Sequence, residues 1–317
     1  MRRIAALVQL VVVLGVTALA VQGCGSEPDG VAATAQPATA RSAAPPLAPR
    51  ATAHRFDGAR AFRLLREQVQ DYGPRPAGSA TLRRLAVRLR ALLPRGRFET
   101  VPGHVGLRNV VGTIPGRAPA ILVAAHYDVE AAPRGFVGAN DGAAGTAAVV
   151  TLARAFARTP RPSGARELRF VLFDGEEEPA GCEPFIDCGL RGSKAYAERH
   201  ASRLGEMILL DYIAEKRGLS FGREGGSDAA LWTRLRSAAS AAGVGSLFPP
   251  ADAPVQIIDD HTPFTQRGVP AIDVIDFDYP QRDSLDDNLS AVSVGSLDAV
   301  GEAVHGLVAR LRTARTR

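Results

Sequence analysis

The fold that this sequence predicts is a single-domain α/β/α sandwich around a mixed, mostly parallel sheet, and three observations lead to it. Apolar runs of strand length alternate along the chain with segments whose apolar residues recur at helical spacing. Four of the apolar runs, at 120–128, 170–177, 207–211 and 270–278, finish on histidine or carboxylate side chains, and open α/β sheets place their ligands at the carboxyl ends of strands. The composition, with 46% hydrophobic and 22% charged residues in 317, supplies one sizeable core.

The elements follow in order. Helices are expected over 59–70 and 79–93. In the second, Leu82, Leu85 and Leu89 mark an apolar stripe with Arg83, Arg84, Arg88 and Arg90 between them, the pattern of an amphipathic helix lying on a core. Gly73, Pro74, Pro76 and Gly78 stop the first helix. Strands are expected at 98–101 and 107–114, and a third at 121–125 delivers His126. A glycine-rich loop from Phe136 to Gly145 carries Asn140 and Asp141 into a helix over 146–158, rich in alanine and valine and expected to be buried. The next strand is expected to end at Glu177, followed by a helix over 194–203 and a strand ending at Asp211. Helices over 228–241 and 295–312 close the chain.

The N-terminus reads differently. Arg2 and Arg3 precede an apolar run that ends in Val21-Gln22-Gly23-Cys24, which reads as a bacterial export signal over 1–24 with a lipoprotein-type site at Cys24. Residues 25–55 are largely Ala, Pro, Ser and Thr and are expected to form a disordered linker, leaving 56–317 as the catalytic domain. The chain is therefore expected outside the cytoplasm. It would be lipid-anchored to the outer face of the bacterial cell membrane, periplasmic or secreted, and would meet the membrane only through its N-terminal lipid or signal anchor. Cys182 and Cys188 are then a close pair in an oxidising compartment, either joined as a disulfide or present as independent thiols or metal ligands. The formal net charge of +5 is spread along helix faces, and with one Trp in the chain a nucleic-acid partner is not expected.

The chemistry concentrates in His126-Tyr-Asp128, Asn140-Asp141-Gly, Asp174-Gly-Glu176-Glu177, Asp211 and Asp259-Asp260-His261. Adjacent carboxylates such as Glu176 and Glu177 repel unless a cation or a shared proton accommodates them. Zinc takes histidine nitrogen and carboxylate oxygen and keeps a position open when it is catalytic. In this reading Asp141 and Glu177 are ligands, Glu176 stays off the ion as general base and acid, and Asp128 accepts the His126 imidazole N–H.

Together and in this order, the motifs resemble the zinc-dependent M28 peptidases and their glutaminyl-peptide cyclotransferase relatives, over residues 56–311. The resemblance implies substrates that are peptide or protein N-termini. In an aminopeptidase it implies two zinc ions, one on His126, Asp141 and Asp211 and one on Asp141, Glu177 and a final histidine. In a cyclotransferase it implies one zinc on Asp141, Glu177 and that histidine, with Glu176, Asp211 and Asp259 forming a carboxylate network. Asp283 stands where the final histidine is expected, with Asp276 and Asp278 as alternatives, and Arg282 stands where cyclotransferases carry a tryptophan. His261 either packs beside the pocket or is recruited toward the metal. The 136–139 loop, the 178–191 insertion and Asp259 favour the cyclotransferase. An aminopeptidase, or a tethered M28-fold protein impaired by Asp283, are the alternatives.

Overall fold

The computed structural model of the protein describes residues 44–314, so the segment read as an export signal, with Cys24, lies outside the described residues. Helix α1 (Gly58–Glu67) starts at Asp57, whose carboxylate accepts the Arg60 N–H at 2.8 Å, and it runs on into a π turn at Gln68–Tyr72. Helix α2 (Ala80–Leu92) is capped by Ser79 and buries Leu82, Leu85, Ala86 and Leu89, while Arg83, Arg84, Arg88 and Arg90 are exposed. Six strands follow: β1 (Arg97–Thr100), β2 (Arg108–Ile114), β3 (Arg117–His126), β4 (Arg166–Phe173), β5 (Leu204–Asp211) and β6 (Ala271–Ile275). They form one sheet in the order β1-β2-β4-β3-β5-β6. The first two pairings are antiparallel, and β4, β3, β5 and β6 run parallel.

The remaining helices are α3 (Ala143–Arg158), α4 (Phe185–Cys188), α5 (Arg191–His200), α6 (Ala229–Ala241), α7 (Thr262–Thr265) and α8 (Val294–Thr313). Alternation along the strands decides the layers. Ile121, Val123 and Ala125 of β3 enter one core with α1, α2, α3, α6 and α8, while Leu122 and Ala124 enter the other with Tyr196 of α5 and Phe264 of α7. Both faces are covered, so the parallel strands read as continuous apolar runs rather than as alternation with polar residues.

Two expectations are corrected. Strand β4 stops at Phe173, four residues short of Glu177, because the Asp174 N–H goes to Asn109 Oδ1 (3.1 Å) and Gly175 turns the chain at φ +74°. The glutamates therefore sit in the turn beyond the strand. Residues 44–55, assigned by composition to the linker, lie against the domain. Gly218 N–H donates to Pro46 O and Thr52 N–H to Ala242 O, each at 2.9 Å, and Ala48, Ala51 and Ala53 pack on the core. Small side chains fill a shallow surface at little side-chain entropy cost, so an Ala/Pro segment docks without large apolar residues.

Helix α3 lies close under the strand ends that carry the site. A Cβ added to Gly145 would stand 2.2 Å from Leu210 O and 2.9 Å from Ala125 Cβ, whereas one added to Gly306 in α8 meets nothing nearer than 3.5 Å. Gly145→Ala is expected to lower the unfolding free energy by about 1–3 kcal/mol through overpacking. Gly306→Ala should raise it by about 0.5–1 kcal/mol through helix propensity. Urea unfolding of the two variants beside the parent checks both signs.

Candidate metal centre

Neighbouring strands β3 and β5 end on His126 and Asp211, and the loop entering α3 brings Asp141 to the same point. His126 Nε2 lies 3.2 Å from Asp141 Oδ1 and 3.4 Å from Asp211 Oδ1. The turn after β4 brings Glu176 and Glu177 from the other side. Two sets of donor atoms converge, His126 with Asp141 and Asp211, and His126 with Glu176 and Glu177, each with its atoms within 4.8 Å of one another. All five side chains are buried.

The loops that carry these groups are held by polar contacts from further along the chain. Asp287 accepts the N–H groups of Asn140 (2.8 Å) and Asp141 (3.0 Å) and the Tyr279 hydroxyl (2.9 Å). Arg75, fully buried, donates to the carbonyls of Tyr127 (3.2 Å), Gly138 (3.0 Å) and Asp141 (3.3 Å), and to that of Val137. Burial brings its pKa down to about 10 against the opposing pull of Asp141 and Asp287, so the guanidinium remains charged at neutral pH. Arg191 ties the glutamate turn through Gly175 O (3.2 Å) and Glu177 O (2.6 Å).

Asp128 has a different partner from the one expected. Its oxygens accept the N–H groups of Glu176 (3.2 Å) and Glu177 (3.3 Å), while His126 Nδ1 lies 3.9 Å from it and makes no hydrogen bond. Two converging backbone donors stabilise the Asp128 carboxylate where it lies, so it orients the glutamate turn instead of the imidazole.

Tyr212 was not legible as a site residue. Its hydroxyl lies 3.1 Å from Asp141 Oδ2 and 3.3 Å from Asp283 Oδ1, and both Tyr212 (φ +46°) and Asp283 (φ +56°) have left-handed backbones. A non-glycine residue in that region costs energy and persists where surrounding contacts determine it. Asp283, half-exposed, belongs to neither converging donor set. Asp276 points elsewhere, accepting the Ser220 N–H at 3.2 Å. His261 lies between Glu224 (3.4 Å) and Asp273 (3.7 Å), also outside both sets.

Burial pushes Glu176 and Glu177 well above the usual carboxylate range, reinforced by Asp259 and Asp260 around the first and by Asp141 around the second. Burial likewise raises Asp211 to about 7, with Asp259 and Asp141 adding to it and His126 opposing. Burial works against a charged His126, but its hydrogen bonds to Asp141 and Asp211 outweigh it and hold the ring well above the ordinary histidine value. The cluster suits a divalent cation. Among the described residues no lysine or arginine pairs with these carboxylates, and one nitrogen with several carboxylate oxygens is a donor set that zinc accepts.

The site opens into a cleft of about 270 Å³. Asp259 reaches it beside Glu176, and Ile257, Ile275 and Phe277 form its apolar side, with Glu130, Glu178 and Asp283 at the mouth. Arg282 stacks its guanidinium over the Phe277 ring at 3.9 Å, so a flat surface stands at the mouth where a tryptophan was expected. Cys182 and Cys188 form a disulfide within the segment following the glutamates.

A mixed six-stranded sheet flanked by helices, with His126 and Asp211 at the ends of parallel strands and the glutamates in the turn beyond β4, has a zinc-exopeptidase-like α/β fold. Residues 109–308 match the sequence model of peptidase family M28, and the chain belongs to that family. It is 28% identical over 236 residues to the glutaminyl-peptide cyclotransferase-like protein of Mus musculus, a match that covers 63% of this chain and 59% of that protein. The chain thus spans about three-fifths of that curated relative. Among solved structures, glutaminyl cyclase from an Acidobacteriales bacterium superposes with a TM-score of 0.72 at 24% identity, over 88% of this chain and 99% of that one. Porphyromonas gingivalis glutaminyl cyclase gives 0.71 at 26% identity, over 82% and 100%.

Two outcomes are expected. In metal-free protein the raised carboxylates and His126 bind more protons folded than unfolded, so stability is highest below about pH 4 for these groups and is lost as pH rises through the folded-state values, about 7 for Asp211. The site's contribution to the melting temperature should fall over that window, and saturating zinc should remove the fall near neutral pH. Arg75→Met should cost about 2–5 kcal/mol by leaving several buried carbonyls without a donor, as read by urea denaturation.

Proposed function

We propose that the protein is a zinc-dependent glutaminyl-peptide cyclotransferase, converting the N-terminal glutamine of peptides or proteins to pyroglutamate with release of ammonia. The observation that carries this reading is a single small cleft in which Glu176 and Asp259 face the His126, Asp141, Glu177 and Asp211 group. The similarity to glutaminyl cyclases supports it.

His126, Asp141, Asp211 and Glu177 would hold the ion, with His126 as the nitrogen ligand in place of the histidine that Asp283 replaces. Zinc bound there would supply Lewis acidity toward the side-chain amide carbonyl of the substrate. The carboxylates of Glu130, Glu178 and Asp283 at the cleft mouth favour the approach of an N-terminal ammonium group. Ile257, Ile275 and the Phe277–Arg282 stack give the glutamine methylenes an apolar wall. Once the ammonium has given one proton to solvent, Glu176 takes a second from the neutral α-amine as its nitrogen bonds to the side-chain amide carbonyl carbon, Cδ, and returns it to the amide nitrogen as the Cδ–N bond breaks and ammonia leaves. Asp259, beside Glu176 in the cleft, adds to the burial that pushes the Glu176 carboxyl well above the usual carboxylate range.

One observation favours a second reading. His126 Nε2 faces both Asp141 and Asp211, the set expected for the first of two ions in an M28 aminopeptidase, where Glu176 would deprotonate water for attack on the first peptide bond. The Cys182–Cys188 disulfide supports placement outside the cytoplasm. Among the described residues no helix is long and apolar enough to cross a membrane, so anchoring would rest on the segment ending at Cys24.

Mass spectrometry of zinc-loaded protein with a Gln-initiated and a Leu-initiated peptide tests these readings. Loss of ammonia from the first is the expected result, and release of leucine from the second would establish the aminopeptidase. Neither, with zinc bound, would mean that Asp283 has impaired the chemistry. Glu176→Gln should lower turnover by about 10²–10⁴ while zinc content by elemental analysis stays unchanged; undiminished turnover would remove Glu176 as proton carrier.

A further inference from the structure

At the pole of the sheet opposite the metal centre, the C-terminal turns of α3 and α8 border a second cleft of about 390 Å³. Phe156 from α3 and His305 from α8 stack face to face, with centroids 4.4 Å apart and planes 5° apart. Pro162 and Ala309 extend this apolar wall, and Arg55 and Arg312 supply the charge. Volumes of a few hundred Å³, an apolar lining and a few polar groups are the features of small-molecule sites.

Arg312 sets this cleft apart from an ordinary surface groove. It is 3% exposed, and its Nε and Nη2 are buried without a hydrogen-bond partner. An arginine in the last turn of a helix commonly serves the terminal carbonyls; among the described residues Arg312 donates to none and has no ion pair, and its guanidinium carbon lies 5.8 Å from the Phe156 ring centre. His305 Nδ1 is likewise buried and unpartnered. Glu302, one turn earlier on α8, spends Oε1 on the N–H groups of Arg55 and Phe56 and does not line the cleft. Burial and the neighbouring Arg55 hold His305 down to about 4, and burial with Arg161 lowers Arg312. The charge facing the cleft is positive and uncompensated, and a buried cation without an anion is costly.

We infer that this cleft binds an anion carrying an apolar body, a carboxylate whose hydrocarbon or aromatic part lies along Phe156 and His305 while its charge meets Arg312 and Arg55. The shape distinguishes this ligand from a bare anion, because more of the wall is ring and aliphatic surface than polar atoms. The inference stands apart from the proposed chemistry, since its residues share none with the metal centre.

Isothermal titration of the protein with benzoate, benzyl alcohol and inorganic phosphate tests it. Benzoate should bind, with the alcohol and phosphate each at least about tenfold weaker, the ratio that one charge-assisted contact supports. Arg312→Met should weaken benzoate about tenfold or more with the circular dichroism spectrum unchanged. Should that variant fail to fold, Arg55→Glu at the exposed rim reverses the charge without touching the core, and it too should weaken benzoate. No heat with benzoate up to on the order of 10 mM, equal binding of benzyl alcohol or phosphate, or benzoate binding indifferent to Arg55→Glu would overturn the proposal.

Discussion

Burying several carboxylates around one imidazole is the constraint on which the rest of this structure depends. Asp141, Glu176, Glu177 and Asp211 converge on His126 where water is scarce, and ionised carboxylates so placed repel and lose hydration. Either protons or a cation must accompany them. Burial and mutual repulsion raise the carboxylate pKa values so that protons meet the need at low pH; at neutral pH a divalent ion would meet it, with the same groups as ligands. The parallel sheet brings the charges together because adjacent strands end at one level, and the α3 helix packs so close beneath them that only glycine fits at position 145.

Holding repelling groups in place requires contacts that do not depend on the ion. The structure uses backbone polarity for this purpose. Asp287 and Asp128 each accept a pair of adjacent N–H groups, from Asn140 and Asp141 and from Glu176 and Glu177. Arg75 gathers carbonyls of the loop carrying Asp141 from the other side. Each loop that carries a member of the cluster is thus fixed at its backbone with its side chains directed inward, and preorganisation of this kind would lower the cost of binding an ion. Tyr212 adds a hydroxyl between Asp141 and Asp283, linking Asp283 to a member of the cluster.

Much of the fold and of the centre was legible in the sequence because both depend on short-range pattern. The apolar runs ending at His126 and Asp211 became β3 and β5, and the stripe of Leu82, Leu85 and Leu89 became the buried face of α2. The end of β4 was placed too late, since an apolar run says nothing of the Asn109 side chain that takes the Asp174 N–H. Residues 44–55 were assigned to a linker because composition does not register how well small side chains settle on a preformed surface. Arg75, Tyr212 and Asp287 escaped notice as parts of the centre for a shared reason: each acts across 66 to 146 residues of sequence, and no local periodicity carries such a contact. An arginine set between two prolines was the one local sign of Arg75.

His126 Nε2, facing Asp141 and Asp211, is the one nitrogen in the two converging donor sets. Anomalous diffraction at the zinc edge from crystals grown with zinc addresses this most directly. A peak is expected about 2.0–2.1 Å from His126 Nε2, with Asp141 among the oxygen ligands. A peak coordinated without His126, or no peak within the cluster, would contradict it.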